Sequence, residues 1–88
     1  MKVKYQKKFL KELARIPLKR REQIEKFVFE EVPTMKSLTE SGNIEQITDY
    51  PGYYKVRFGD YRVGIRVEND TVSFERVLHR KDIYRFFP

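Results

Sequence analysis

The alternation of apolar and polar residues is most regular between Tyr53 and Val67, where the chain reads YYKVRFGDYRVGIRV. Gly59 and Asp60 form a two-residue turn, with glycine in the first position as a type II′ hairpin prefers. Because successive side chains in a strand point to opposite faces, this turn assigns every residue to a face. One face is apolar and predicts a core: Tyr54, Val56, Phe58, Tyr61, Val63, Ile65 and Val67. The other face, called the basic face below, carries Tyr53, Lys55, Arg57, Arg62, Gly64 and Arg66.

Two earlier segments have apolar residues at helical spacing. The first runs from Gln6 to Arg15. Pro17 ends it and opens the second, from Leu18 to Val32, because proline is tolerated in the first turn of a helix. Two helices joined so closely form a hairpin, and their apolar stripes need a sheet to cover.

The remaining strands are shorter or less regular. Residues 1–5 and 44–48 have strand character, and Asn69-Asp70 predicts a second tight turn after the central hairpin. Regular pairing beyond that turn places Gly64 opposite Glu75 and Arg62 opposite Val77. It also puts Leu78 on the core face and His79 on the basic face, and it leaves Arg76 without an explanation.

This order of elements predicts one α+β domain over residues 1–88, with the layout β-α-α-β-β-β. We expect an antiparallel sheet with the helical hairpin packed on one face and the basic face left free. Residues 83–88 form a short C-terminal piece of unassigned structure.

Charge supports a functional interpretation of the basic face. The chain carries a net charge of +6, which favours nucleic acid, an anionic surface or an acidic protein as partner. Arg57 lies opposite Arg62, an arrangement that destabilises a sheet, and these strands offer no acid on that face before Glu68. A bound polyanion explains this single sign of charge; the alternative is a solvated face whose charges prevent aggregation.

Composition excludes several classes of function. The chain has no cysteine and one histidine, so disulfides, thiolate metal sites and multi-histidine metal sites are excluded. No apolar run approaches the ~18 residues of a membrane span. We expect a cytoplasmic protein without cofactor or metal.

The polar residues that remain suit one reaction, cleavage of an RNA phosphodiester without a metal. A base takes the proton of the 2′-hydroxyl, arginines neutralise charge on the phosphoryl oxygens, and an acid protonates the departing 5′-oxygen. Glu75 is either a proton acceptor or a charge that relieves repulsion on the basic face. His79 is either structural or functional, since histidine titrates near neutral pH.

The motifs YPGYYKVR, GDYR and HRKDIY, together with the N-terminal strand and helical hairpin, resemble the RelE/ParE superfamily of toxins from toxin–antitoxin pairs. The resemblance covers nearly the whole chain. It implies a RelE-like α+β fold, a cognate antitoxin as partner, and ribosome-dependent cleavage of mRNA in the ribosomal A site, with ribosomal RNA as a further partner.

The resemblance also implies roles for particular residues. Lys55 is the base or its electrostatic substitute, while Arg57 and Arg62 hold the scissile phosphate. Arg80 or His79 serves the leaving group, and Tyr84 stacks on or orients a nucleotide. Two alternatives stay open: a ParE-like inhibitor of DNA gyrase that cleaves nothing, and a basic RNA-binding module without catalysis.

Overall fold

A computed structural model describes all of residues 1–88. Five strands and three helices follow one another in the order β1 (Lys2–Tyr5), α1 (Lys7–Leu13), α2 (Leu18–Glu25), β2 (Ile44–Gln46), β3 (Tyr53–Phe58), β4 (Tyr61–Glu68), β5 (Thr71–His79) and α3 (Arg80–Phe86). The α2 helix continues as a wider π-helical segment through Lys26–Glu31, and two short 3₁₀ turns, Val32–Thr34 and Leu38–Glu40, lead to β2.

The strands form one sheet in the order β1-β5-β4-β3-β2. The central hairpin has the predicted pairing throughout, with Val56 opposite Val63 and Arg57 opposite Arg62. Gly59 takes a φ of 60°, which a side chain would disfavour, and this confirms the turn on which the prediction depends. The sheet is mixed, whereas the sequence predicted an antiparallel one, because the edge strand β1 runs parallel to β5.

The helical hairpin packs on the apolar face of the sheet, as predicted. Its apolar residues Phe9, Leu13, Ile24, Phe27 and Val28 are buried against Val56, Val63, Ile65, Val72, Phe74 and Val77. Leu10 belongs to the first helical pattern but stays exposed, as does Leu18 at the start of α2. No helix has both the length and the apolar composition needed to cross a membrane.

A β-bulge in β5 changes the pairing that regular alternation predicts. Ile65 pairs with Phe74, but Gly64 pairs with Arg76, so Glu75 is an extra residue. Every later residue of β5 therefore changes face. Leu78 pairs with Arg62 on the basic face, and His79 pairs with Tyr61 on the core face. The predicted faces of Leu78 and His79 were wrong for this reason.

The bulge is held by side chains at the edge of the sheet. β1 pairs only as far as Phe74, so the Val77 N–H has no neighbouring strand and donates to Glu12 Oε1 at 3.1 Å. The guanidinium of Arg76 pairs with the same carboxylate, with Nη2 2.7 Å from Oε2. Glu75 accepts hydrogen bonds from Ser73 and Gln6.

The C-terminal residues form a helix, α3, that packs on the basic face. Phe87 follows the helix and lies directly over Gly64, where an added Cβ would stand 2.7 Å from the Phe87 ring. Ile83 and Phe87 are buried here, apart from the main core cluster. The basic face is therefore only partly free, because α3 divides it.

Candidate active site

A pocket of about 170 Å³ opens on the basic face between the β3–β4 hairpin, β2 and α3. Backbone geometry builds it, because β3 and β4 present every second side chain to this face. Its lining is mostly polar and consists of Gly42, Asn43, Ile44, Glu45, Lys55, Arg57, Arg62 and Tyr84. Four of the six residues predicted for the site thus meet in one cavity.

Lys55 is the most constrained of the pocket's cations. Its Nζ donates a hydrogen bond to Tyr84 Oη at 2.8 Å and lies 4.5 Å from the centre of the Tyr84 ring. On its other side the same atom lies 3.5 Å from Glu45 Oε2. The ammonium group is therefore fixed between a phenol and a carboxylate.

The two arginines of the pocket differ in how they are held. Arg62 donates from Nη1 to the backbone oxygens of Gly59 at 2.7 Å and Tyr61 at 3.0 Å, so the hairpin turn orients its guanidinium. Arg57 is exposed and has no ion-pair partner. Neither guanidinium is neutralised by an acid, and both remain available to an anion.

Tyr84 reaches the pocket because α3 is anchored on the sheet. Ile83, the residue before it, is 1% exposed, whereas Tyr84 is 67% exposed. Consecutive helical residues point in different directions, so burial of Ile83 turns the Tyr84 side chain outward over Lys55. His79 caps the start of the helix, where its Nδ1 accepts from the Lys81 N–H at 3.1 Å.

The other two predicted residues lie outside this cavity. Arg80 is exposed and pairs with Asp60 across the hairpin turn, with 3.7 Å between Nε and Oδ1. His79 caps α3, and its ring packs edge-on against Tyr61 at 5.6 Å between centroids. The β5 bulge moves His79 away from the basic face, where regular alternation had placed it.

Glu45 is a pocket residue that the sequence analysis missed. It pairs directly with Lys55 across β2 and β3, so the two side chains share a face. Regular pairing around the turn Asp49 to Gly52 would place Glu45 opposite Val56, but the observed register is shifted by one residue, with the Ile47 N–H donating to the Tyr53 carbonyl. β2 is only three residues long, which makes its register hard to infer.

No three His, Cys, Asp or Glu side chains come together as a metal site would require. Burial raises the pKa of the Tyr5 phenol, whose Oη donates to the Val28 carbonyl at 2.6 Å.

Comparison with known proteins agrees with this geometry. A family model described as the ParE toxin of type II toxin–antitoxin systems, parDE, matches residues 3–84. A curated relative, Toxin RelE3 of Methanocaldococcus jannaschii, is 45% identical over 89 residues, covering 100% of both chains.

Solved structures also match this chain. A chain of the RelB-RelE antitoxin–toxin complex from Methanococcus jannaschii superposes with a TM-score of 0.83 at 42% identity, over 97% of this chain and 99% of that one. The toxin–antitoxin complex RelBE2 from Mycobacterium tuberculosis gives a TM-score of 0.68 at 22% identity, over 90% and 96%, which supports the fold alone. The family inferred from the sequence motifs is confirmed: the chain belongs to the RelE/ParE superfamily, and it is a RelE-like toxin of a type II toxin–antitoxin system.

Proposed function

We propose that this toxin is a metal-independent endoribonuclease that cleaves mRNA in the ribosomal A site. A base removes the proton of an RNA 2′-hydroxyl, and the freed oxygen attacks the adjacent phosphorus. The bond from phosphorus to the 5′-oxygen breaks, and that oxygen takes a proton from an acid. The products are a 2′,3′-cyclic phosphate and a 5′-hydroxyl.

The observation that carries the proposal is the pair of unneutralised guanidinium groups, Arg57 and Arg62, in one pocket with Lys55. Negative charge grows on the phosphoryl oxygens as the 2′-oxygen attacks. Donors already fixed in position stabilise such charge without reorganising, and the turn backbone fixes Arg62 in this way. A planar guanidinium can bind two phosphate oxygens at once.

The contacts of Lys55 suggest how protons are handled. Since its ammonium donates to Tyr84 and lies beside Glu45, we assign Lys55 an electrostatic role and Glu45 the role of base. Tyr84 Oη accepts from Lys55, which leaves its own O–H free to protonate the departing 5′-oxygen. Arg80 and His79, which do not line the pocket, would contact RNA beyond the scissile phosphate.

The partners follow from the same proposal. Besides mRNA, the cationic surface would contact ribosomal RNA, and this grip would weaken steeply with salt. We further propose that a cognate antitoxin protein silences the toxin, as the RelB-RelE complex of the relative suggests.

Primer extension on an mRNA translated in a cell-free system tests the cleavage. We expect new cuts at codon-spaced positions with the wild-type protein and no cuts when ribosomes are omitted. Arg62→Ala should lower the cleavage rate by ~100 to 1,000-fold, the typical cost of one lost oxyanion donor. Arg15→Ala removes an equal charge from an exposed position outside the pocket and should cleave normally.

One observation favours a second candidate, inhibition of DNA gyrase without cleavage: the matching family model is that of ParE toxins. Intact mRNA and unimpaired translation would contradict the proposed ribonuclease activity. Inhibition of DNA gyrase in a supercoiling assay would then support the second candidate. RNA binding that survives Arg62→Ala, with no cleavage by either protein, would instead indicate a binding module.

A further inference from the structure

We propose that a second pocket, next to the cationic one, binds an unpaired nucleobase of the RNA. This pocket has a volume of about 240 Å³ and an apolar lining in which Ile47, Tyr50, Ile83 and Phe87 take part. It shares Lys55 and Tyr84 with the cationic pocket. The inference rests on the proposed function and names the part of the substrate that would occupy this cavity.

The two adjoining pockets match the two chemical parts of a nucleotide. The cationic pocket offers guanidinium and ammonium groups to a phosphate, and the second pocket offers aromatic and aliphatic surface to a flat base. Because Lys55 and Tyr84 line both, a nucleotide with its phosphate at Lys55 would place its base against Tyr50. Aromatic surface beside a cationic groove is the usual arrangement in proteins that bind single-stranded nucleic acid.

Tyr50 has the properties of a stacking platform. It is 51% exposed, so a large ring face is left uncovered. Its backbone is nevertheless tied into the β2–β3 turn, where the Tyr50 N–H donates to the Ile47 carbonyl at 3.3 Å and its own carbonyl accepts from Tyr53 at 3.1 Å.

Neighbouring rings brace this platform from below. The Tyr50 and Tyr53 rings pack edge-to-face at 6.2 Å between centroids, and the Tyr53 and Phe87 rings do so at 5.7 Å. A ring held in this way loses little conformational freedom when a base stacks on it.

The test measures binding separately from cleavage. A fluorescently labelled 2′-O-methyl oligonucleotide cannot be cleaved by 2′-hydroxyl attack, and anisotropy reports its affinity. A second set of oligonucleotides has the same backbone with one base removed at each position in turn. We compare the wild-type protein with Tyr50→Ala, with Tyr50→Phe, and with Leu18→Ala, which alters an equally exposed apolar residue on α2.

We expect Tyr50→Ala to weaken binding of the complete oligonucleotide by about 5- to 150-fold, the range for loss of one base–aromatic stack. At one abasic position the same substitution should cause no further loss, since the base that it contacts is already absent. Tyr50→Phe keeps the ring and should bind as the wild type does, as should Leu18→Ala.

The proposal is overturned if the wild-type protein binds complete and abasic oligonucleotides equally, or binds neither. It is also overturned if Tyr50→Ala weakens both to the same extent. Failure of the proposed ribonuclease activity is distinguishable from failure of this proposal. Base-dependent binding without mRNA cleavage would contradict the ribonuclease activity and still support a nucleobase pocket. Ribosome-dependent cleavage without base-dependent binding would remove the pocket alone.

Discussion

At the scale of single residues, the most informative contact is that between Lys55 and Tyr84. A lysine is flexible, yet here a hydrogen bond of 2.8 Å and a ring at 4.5 Å hold its ammonium in one place. A positioned charge stabilises a transition state better than a mobile one, because no reorganisation is needed during the reaction.

Tyr84→Phe separates positioning from stacking. The substitution keeps the ring but removes the hydroxyl that holds Lys55, and in our proposal it also removes the acid. Since a hydrogen bond to a charged group contributes roughly 1.5–3 kcal/mol, we expect at least a ~10-fold slower cleavage in the primer-extension assay. Tyr54→Phe removes a hydroxyl from the core-side face and serves as control; equal rates for the two variants would contradict the role of Tyr84.

The stability of the fold depends on pH through the Tyr5 phenol. Burial raises the pKa of this phenol above that of the unfolded chain, which lies near 10. Below the unfolded pKa, the neutral phenol therefore contributes its full stabilisation to the native state. This stabilisation is lost as pH rises through the native pKa. Tyr5→Phe should cost about 0.5–1.5 kcal/mol near neutral pH, because the hydrogen bond to the Val28 carbonyl disappears.

Urea unfolding of both proteins at about pH 8 and about pH 11 checks the sign. The stability difference between wild type and Tyr5→Phe should shrink at the higher pH. Lysines that titrate in the same range affect both proteins alike, so they cancel in the comparison. A difference that stays constant would show that the phenol does not ionise more readily on unfolding.

At the scale of elements, α3 decides whether the site is complete. It supplies Tyr84, and it is held on the sheet by Ile83, by Phe87 over Gly64, and by the Arg76 guanidinium, which donates from Nη1 to the Phe86 carbonyl at 3.3 Å. The glycine is required by this packing, since any Cβ would collide with the Phe87 ring.

Gly64→Ala should loosen α3 without unfolding the domain. The new methyl group would lie 2.7 Å from the Phe87 ring, and overpacking of this kind costs about 1–3 kcal/mol. Hydrogen exchange should show faster exchange of α3 amides, including the Phe87 N–H that donates to Ile83.

Two controls bracket that experiment. Gly42→Ala adds the same methyl group where nothing lies within 4 Å, and it should leave α3 protected. Adding Phe87→Ala to Gly64→Ala should cost less than the two single changes added together, because the clash is gone. Strict additivity would show that Gly64 and Phe87 do not act on each other.

The strands and helices differ in how well the sequence predicts them. The hairpin pairing followed from one turn, because Gly59-Asp60 fixes the register of every residue around it. The bulge could not be inferred in this way. The sequence holds one sign of an extra residue, namely Arg76 at a position where regular alternation predicts an apolar residue. The position of α3 depends on the contact between Phe87 and Gly64, which lie far apart in sequence. His79 was misplaced because of the bulge, and Glu45 was missed because the register of the three-residue β2 could not be inferred.

At the scale of the whole molecule, two apolar layers of unequal size flank one sheet. The larger layer lies between the sheet and the helical hairpin. The smaller layer lies between the basic face and the C-terminal segment, where only Ile83 and Phe87 are buried. Stability therefore resides mainly on the side of the helical hairpin, and the pocket residues Lys55, Arg57, Arg62 and Tyr84 lie on the other.

Ile65→Ala tests this division. Ile65 is completely buried in the larger layer, so its truncation leaves a cavity and should lower the free energy of unfolding by ~2–5 kcal/mol. Circular dichroism during urea unfolding should show a single transition at lower urea. Leu18→Ala, at a position that is 60% exposed, should change stability by less than ~0.5 kcal/mol. Similar losses for both variants would contradict the core assignment.

The β5 bulge has a consequence for how this strand can change length. Elsewhere in β5, losing one residue would turn every later side chain to the opposite face, exposing Val77 and burying charge. Position 75 is different, because Glu75 has no partner on β4. Its loss would restore continuous pairing and leave both faces as they are. The bulge is thus the position in this strand where chains of this shape can gain or lose a residue during evolution.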